Sequence, residues 1–232
     1  MNNIMNNKIS NSDKILKIKE FARSIFETEI KDGTHDFLHT LRVFHLCEKI
    51  SKEENADMEI LLASALLHDI GHVQPGDHAK NSGKIAPGIL NKLNFSDEKI
   101  KKIIYAISVH RYSKGKIPGT IEAKILQDAD RIDALGAVGI MRTFAYLQNS
   151  KNFEITRTSG SHYCKRKLYN ACDPFYETNR ELNDKEYALD HFYRKLLKLP
   201  GLMHTKTGKE IAKTRKKFMI KFIDELKKEI TV

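Results

Sequence analysis

The segment Asp57–Asp69, DMEILLASALLHD, is apolar on nearly every side of a helical wheel and then closes on a histidine and an aspartate. A helix that is apolar all round has to be surrounded by protein. The run from Ile60 to Leu67, interrupted only by Ser64, falls far short of the about 18 residues that a membrane span requires. The chain is therefore expected to wrap further elements around this helix, with Gly71 stopping it. The polar pair at its end is then carried toward the interior, where an imidazole and a carboxylate are costly unless they are paired or bound to a metal.

The rest of the sequence supplies elements of the same kind. Ser12–Glu29 places Ile15, Ile18, Ala22, Ile25 and Phe26 on one side, and Asp36–Glu53 repeats Leu38, Leu41, Phe44 and Ile50 at helical spacing. Further helices are expected at Lys80–Leu93, where Pro87-Gly88 argues against continuity, and at Ser96–Val109, Ile121–Ala134, Ile140–Gln148, Asp184–Leu199 and Lys206–Lys228. Strand patterns are nearly absent and no repeat is visible. The reading is an all-α single domain with an irregular loop or flap around 149–183, where TRTSGSHYCKRKLYNACDP mixes turn residues with basic and aromatic ones.

With 232 residues the chain can bury an adequate core without disulfides. Cys47, Cys164 and Cys172 are odd in number and lack metal-like spacing, and they are expected to be reduced. The Asn-rich start, Met1–Asp13, has no apolar stretch of the secretory kind, so a cytoplasmic location is expected, with no membrane partner. The formal charge of +10 favours polyanionic ligands. Part of that excess is the terminal helix, with Lys209, Lys213, Arg215, Lys216, Lys217 and Lys221, which would serve a nucleic-acid-binding protein without catalysis. The same helix carries the apolar stripe Ile211, Phe218, Phe222 and Leu226, which more simply packs it onto the domain, so nucleic acid is not the expected partner.

His68-Asp69 has company on other predicted helices. His35 and His39 are four apart and share one helix face, and Asp128, Asp130 and Asp133 crowd the run LQDADRIDALGA, where carboxylates alternate with apolar residues and at least one points inward. Two imidazoles and two carboxylates from three helices make a mixed nitrogen and oxygen site for a divalent metal.

The order His39, His68-Asp69, Asp130 resembles the H…HD…D signature of the HD superfamily of metal-dependent phosphohydrolases, and DGTHDFLHTLRV, LLASALLHDIGH, QDADRIDALGAVGIMRTFAYL and HFYRKLLKLPGLMHTKTGKEIAKTRKKFM resemble its YedJ/YpgQ branch from about Ser12 to Leu226. The resemblance implies a helical HD domain over 13–232 after a polar lead-in of 1–12, with ligands between 35 and 135 and the helices of 184–230 packed on the same domain. It makes His39, His68, Asp69 and Asp130 the ligands of one divalent ion; Mn, Fe, Co, Ni, Zn and Mg all suit such a set. His78 and His110 resemble histidines of HD phosphodiesterases that hold a second metal, so they are expected either to bind a second ion or to contact substrate phosphate. Asp36 belongs with His35 to a D-x-[ST]-H-D pattern, and His35, Asp36 and Asp133 are expected to stand behind the ligands and orient them.

The implied activity is hydrolysis of a phosphorylated small molecule, most simply a nucleoside or deoxynucleoside triphosphate cut to monophosphate and pyrophosphate. A divalent ion lowers the pKa of its water from about 15.7 toward about 7, and Asp69 is the residue expected to steer the attack. Lys80, Arg111 and Arg142 follow the site motifs and are expected to neutralise phosphate charge. Tyr112, Phe144, Tyr146 and Tyr163 are candidates for stacking on a base or for the core. A two-metal nucleotide phosphodiesterase is the alternative activity, and the sequence leaves the oligomeric state open.

Overall fold

Side-chain caps open the first five helices of the protein, for which a computed structural model describes residues 10–30, 36–149 and 167–230. Ser10 caps α1 (Asn11–Thr28), Asp36 caps α2 (Phe37–Ile50), Asp57 caps α3 (Met58–Leu67), Asp77 caps α4 (His78–Lys92) and Ser96 caps α5 (Asp97–Val109). Each cap oxygen accepts from an otherwise unbonded amide of the first turn, a contribution of about 1 kcal/mol. The remaining helices are α6 (Ile121–Asp133), α7 (Gly136–Asn149), α8 (Ala188–Arg194) and α9 (Lys206–Ile230). Among the described residues the sole β feature is a bridge between Lys167 and Tyr187, so the fold is all-α, as the periodicity requires.

Two compact units divide the described residues, 10–30 with 36–127 and 128–149 with 167–230. In the first, α1, α2 and α5 pack around α3, and α4 packs on α5 and on the short 3-10 turn Ile70–Val73. Leu61, Ala63, Ala65, Leu66 and Leu67 of α3 are fully buried. Each buried leucine contributes about 2 kcal/mol, so the all-round apolar pattern of α3 is the main adhesive of this unit. At its N-terminal end the buried Glu59 carboxylate is met by Lys99 at 2.5 Å and Lys14 at 3.3 Å. The helix expected over Lys80–Leu93 is present as α4, which starts two residues earlier and runs through Pro87.

Gly71 does more than end a helix. A Cβ there would lie 2.1 Å from the carbonyl oxygen of His78 and 2.4 Å from the amide nitrogen of Ser82, so only glycine allows the chain after α3 to lie against the start of α4. The approach is tied by Ser82, whose hydroxyl accepts from the Gly71 amide at 2.8 Å and donates to the His68 carbonyl at 2.7 Å.

The second unit is built on α7 and α9, with Phe192 of α8 packed between Phe144 and Phe222. The buried Asp128 carboxylate accepts from the amides of His204 and Thr205 and from the Thr205 hydroxyl, which fixes the entry to α9. Arg215 of α9 donates to the Ile132 carbonyl at 2.7 Å, so that member of the basic stripe is a packing residue. The helix expected over Asp184–Leu199 is shorter. α8 stops at Arg194, where Lys195 leaves helical dihedrals, and a 3-10 segment, Leu196–Leu202, takes the place of its end, with Pro200 inside it unable to donate to an α-helical ladder. Of the loop expected around 149–183, residues 150–166 lie outside those described. The part from 167 onward is pinned, with Arg180 donating to both oxygens of the buried Asp190 at 2.5 and 2.7 Å.

Candidate metal centre

Three turns of chain bring imidazoles to one carboxylate. α3 ends at Leu67, so His68 and Asp69 leave it into the turn Ile70–Val73, which carries His72; α4 opens on His78, and α5 is followed at once by His110. His39 lies in the first turn of α2, where its amide donates to the capping Asp36 at 2.7 Å. His39, His68, Asp69 and His110 are each no more than 3% exposed.

The two oxygens of Asp69 face different partners. Oδ2 lies 3.5 Å from Nε2 of His39 and 3.3 Å from Nε2 of His68. Oδ1 lies 3.4 Å from Nε2 of His78, 3.4 Å from Nε2 of His110 and 3.9 Å from Nε2 of His72. The rings of His72 and His78 stack with centroids 4.2 Å apart. Oδ1 is buried and accepts no hydrogen bond, which costs about 1–3 kcal/mol unless a ligand satisfies it.

Backbone carbonyls orient the rings. Nδ1 of His68 donates to the Ala65 carbonyl at 2.8 Å, and Nδ1 of His110 donates to the Ile107 carbonyl at 2.6 Å. With the proton held on Nδ1, the Nε2 lone pair of each ring is turned toward Asp69, the arrangement that metal-binding histidines use. Burial pushes His78 down to about 3, so it is neutral at pH 7 and also offers a lone pair. Burial alone would raise the Asp69 carboxyl, but the imidazoles of His68, His110 and His39 outweigh it and hold the group well below the ordinary carboxylate range. An ionised carboxylate with an unsatisfied buried oxygen, ringed by imidazole nitrogens, is what a divalent cation needs. Ligand-competent atoms of His68, Asp69 and His110, and of Asp69, His72 and His78, lie within 4.8 Å of one another, so the residues fit such an ion.

The other expected residues are placed as follows. Asp130 is half-buried on α6 in the second unit. Lys80 and Arg111 line a cavity of the first unit, whereas Arg142 donates to the buried Asp133 at 2.6 Å, so these two expected site residues are joined in an ion pair. Asp36 acts on the backbone of His39. His35 and Tyr163 lie outside the described residues, and Phe144 is packed on Phe192. His72 is the residue that sequence reading missed. Its signal was the three-residue step from Asp69, which only a helical turn converts into proximity; a glycine at the second position gives no hint that the turn continues.

A family model described as HD domain matches residues 36–135. The chain is 32% identical over 218 residues to the uncharacterized protein YpgQ of Bacillus subtilis, covering 92% of each sequence. The crystal structure of an HD-superfamily hydrolase from Bacillus thuringiensis aligns with a TM-score of 0.72 at 32% identity, covering 96% of this chain and all of that one. A crystal structure of Bacillus subtilis YpgQ in complex with ADP aligns with a TM-score of 0.70 at 30% identity, covering 94% and 96%.

Proposed function

The chain belongs to the HD-domain family, and on that premise we propose that it is a metal-dependent phosphohydrolase acting on nucleotides, cutting nucleoside or deoxynucleoside triphosphates to monophosphate and pyrophosphate. The observation that carries the reading is the buried Asp69 carboxylate, with a set of imidazoles on each oxygen and no hydrogen bond to Oδ1. The ADP in the YpgQ complex supports a nucleotide as the ligand class.

In this reading His39, His68, Asp69 and Asp130 hold a divalent cation. When bound, that cation supplies a water acidified toward neutral pH and takes up charge on a phosphate oxygen. The protein's own groups do the rest. The carbonyls of Ala65 and Ile107 keep the rings of His68 and His110 from turning, and the apolar body of α3 behind them keeps the site's electrostatics strong by excluding water. Asp69, ionised at neutral pH, orients the attacking water by accepting its hydrogen bond, and Lys80 and Arg111 offset the phosphate charge. Among the described residues no helix is long and apolar enough to cross a bilayer.

A second reading has one observation in its favour. His72, His78 and His110 gather on Oδ1 of Asp69 while His39 and His68 gather on Oδ2, a set that would have ligands for two cations and so would suit a nucleotide phosphodiesterase.

Phosphorus NMR of the products separates the readings. With Mn²⁺ and a mixture of triphosphates, the wild-type protein is expected to release pyrophosphate and monophosphate, and Asp130→Ala is expected to release neither. Orthophosphate with diphosphate would move the attack to the terminal phosphorus and overturn the pyrophosphohydrolase assignment. Triphosphates that survive while a phosphodiester is cut would favour the second reading.

A further inference from the structure

Next to the histidines runs a cavity of about 290 Å³ lined by Asp77, Ala79, Lys80, Ser108, Arg111, Lys114 and Lys116. Its walls are the same two stretches of chain that carry the centre: Ala79 and Lys80 follow His78, and Ser108 and Arg111 flank His110. Whole drug-sized ligands occupy pockets of roughly 300–1,000 Å³, so this one suits a fragment of a nucleotide rather than all of it. Among the described residues no aromatic side chain lines it, and a base would find no stacking surface on them.

Its charges are unbalanced. The lining holds four cations and the single carboxylate of Asp77, which receives Arg111 at 2.9 Å and Lys114 at 3.4 Å. Lys116 is turned to the Ser108 carbonyl at 3.2 Å. Lys80 is exposed on the first turn of α4, with the positive end of that helix beside it. The internal anion thus holds Arg111 and Lys114 in place, and the set keeps a net positive charge for a second anion.

We propose that this cavity takes the outer two phosphates of the nucleotide, Lys80, Arg111, Lys114 and Lys116 binding them while Asp77 is the counter-charge they displace. The proposal rests on the nucleotide reading of the centre and deepens it, because it sets which bond breaks. With the outer phosphates held here, the α-phosphorus is the one left at the histidines. Water adds its oxygen to that phosphorus, and the bond from the phosphorus to the bridging oxygen breaks. The bridging oxygen departs with the electron pair as part of pyrophosphate, and the proton lost by the water passes to solvent. The cations stabilise charge as it builds on the leaving group.

The test is calorimetric titration of the full-length protein, as purified, with inorganic pyrophosphate, a probe that needs no turnover. The Lys80→Ala/Lys114→Ala double variant removes two exposed side chains and is expected to bind pyrophosphate at least tenfold more weakly, with metal content and helical content unchanged. Asp77→Asn keeps an effective cap on α4 while deleting the competing charge, and it is expected to bind pyrophosphate about threefold more tightly or better. Pyrophosphate that fails to bind the wild type, that binds the double variant as well as the wild type, or that binds Asp77→Asn no more tightly, overturns the proposal. Failure of the proposed function looks different: triphosphates then survive in the product assay while pyrophosphate binding still responds to these variants. Conversely, triphosphate hydrolysis with pyrophosphate binding indifferent to them leaves the function standing and removes the cavity's role.

Discussion

His68→Ala is expected to lower turnover of any phosphorylated substrate by at least about a thousandfold, some 4 kcal/mol of transition-state stabilisation. The ring is fully buried, oriented by the Ala65 carbonyl and 3.3 Å from both Asp69 and His39, so no neighbour is placed to substitute for it. Truncation also leaves a hole at the end of α3, and the melting temperature is therefore to be measured beside the rate. A variant that still melts cooperatively and has lost turnover is the expected result. A folded variant with rates within a few-fold of wild type would remove His68 from the chemistry.

Gly71→Ala is expected to be the most damaging single-methyl change in the first unit. The added carbon would sit 2.1 and 2.4 Å from backbone atoms of His78 and Ser82, which cannot move without shifting α4 and the hydroxyl bridge of Ser82. Overpacking of this kind costs about 3 kcal/mol, more where backbone has to give. Because α4 carries His78, activity is expected to fall with stability. Gly88→Ala is the control: nothing lies within 4 Å of a Cβ there, and the change replaces an exposed mid-helix glycine, so it is expected to stabilise by about 0.5–1 kcal/mol. Denaturant midpoints for the two variants check both signs. A Gly71→Ala protein as stable as wild type would mean that the close approach of the turn to α4 is relaxed in solution.

Much of this was legible in the chain. The all-round apolar pattern of α3 dictated burial, and the carboxylate-rich run on α6 correctly implied inward-pointing acids, since Asp128 and Asp133 are both fully buried. What those acids do was not legible, because it depends on long-range partners: Asp128 holds the entry to α9 and Asp133 pairs with Arg142. The end of α8 was over-extended because a periodicity argument sees the apolar Leu196 and Leu199 but gives too little weight to Pro200 after them. The identity of His39, His68 and Asp69 as a cluster came from motif order. The two-sided arrangement around Asp69, with His72 included, came only from the turn that Gly71 makes possible. The cavity was half visible as Lys80 and Arg111; Asp77 reads in sequence as nothing more than a helix cap.

The claim on which everything else depends is that Asp69 and its imidazoles bind a divalent cation. The direct measurement is the amount of Mn²⁺ retained per chain after equilibration and removal of free ion, for the wild type and for Asp69→Asn, an isosteric change that removes the charge. The account predicts about one ion per chain or more in the wild type and loss of tight binding in the variant. Two ions per chain would move the weight to the two-cation reading. A wild type that retains none, or an Asp69→Asn protein that retains as many, would contradict the account.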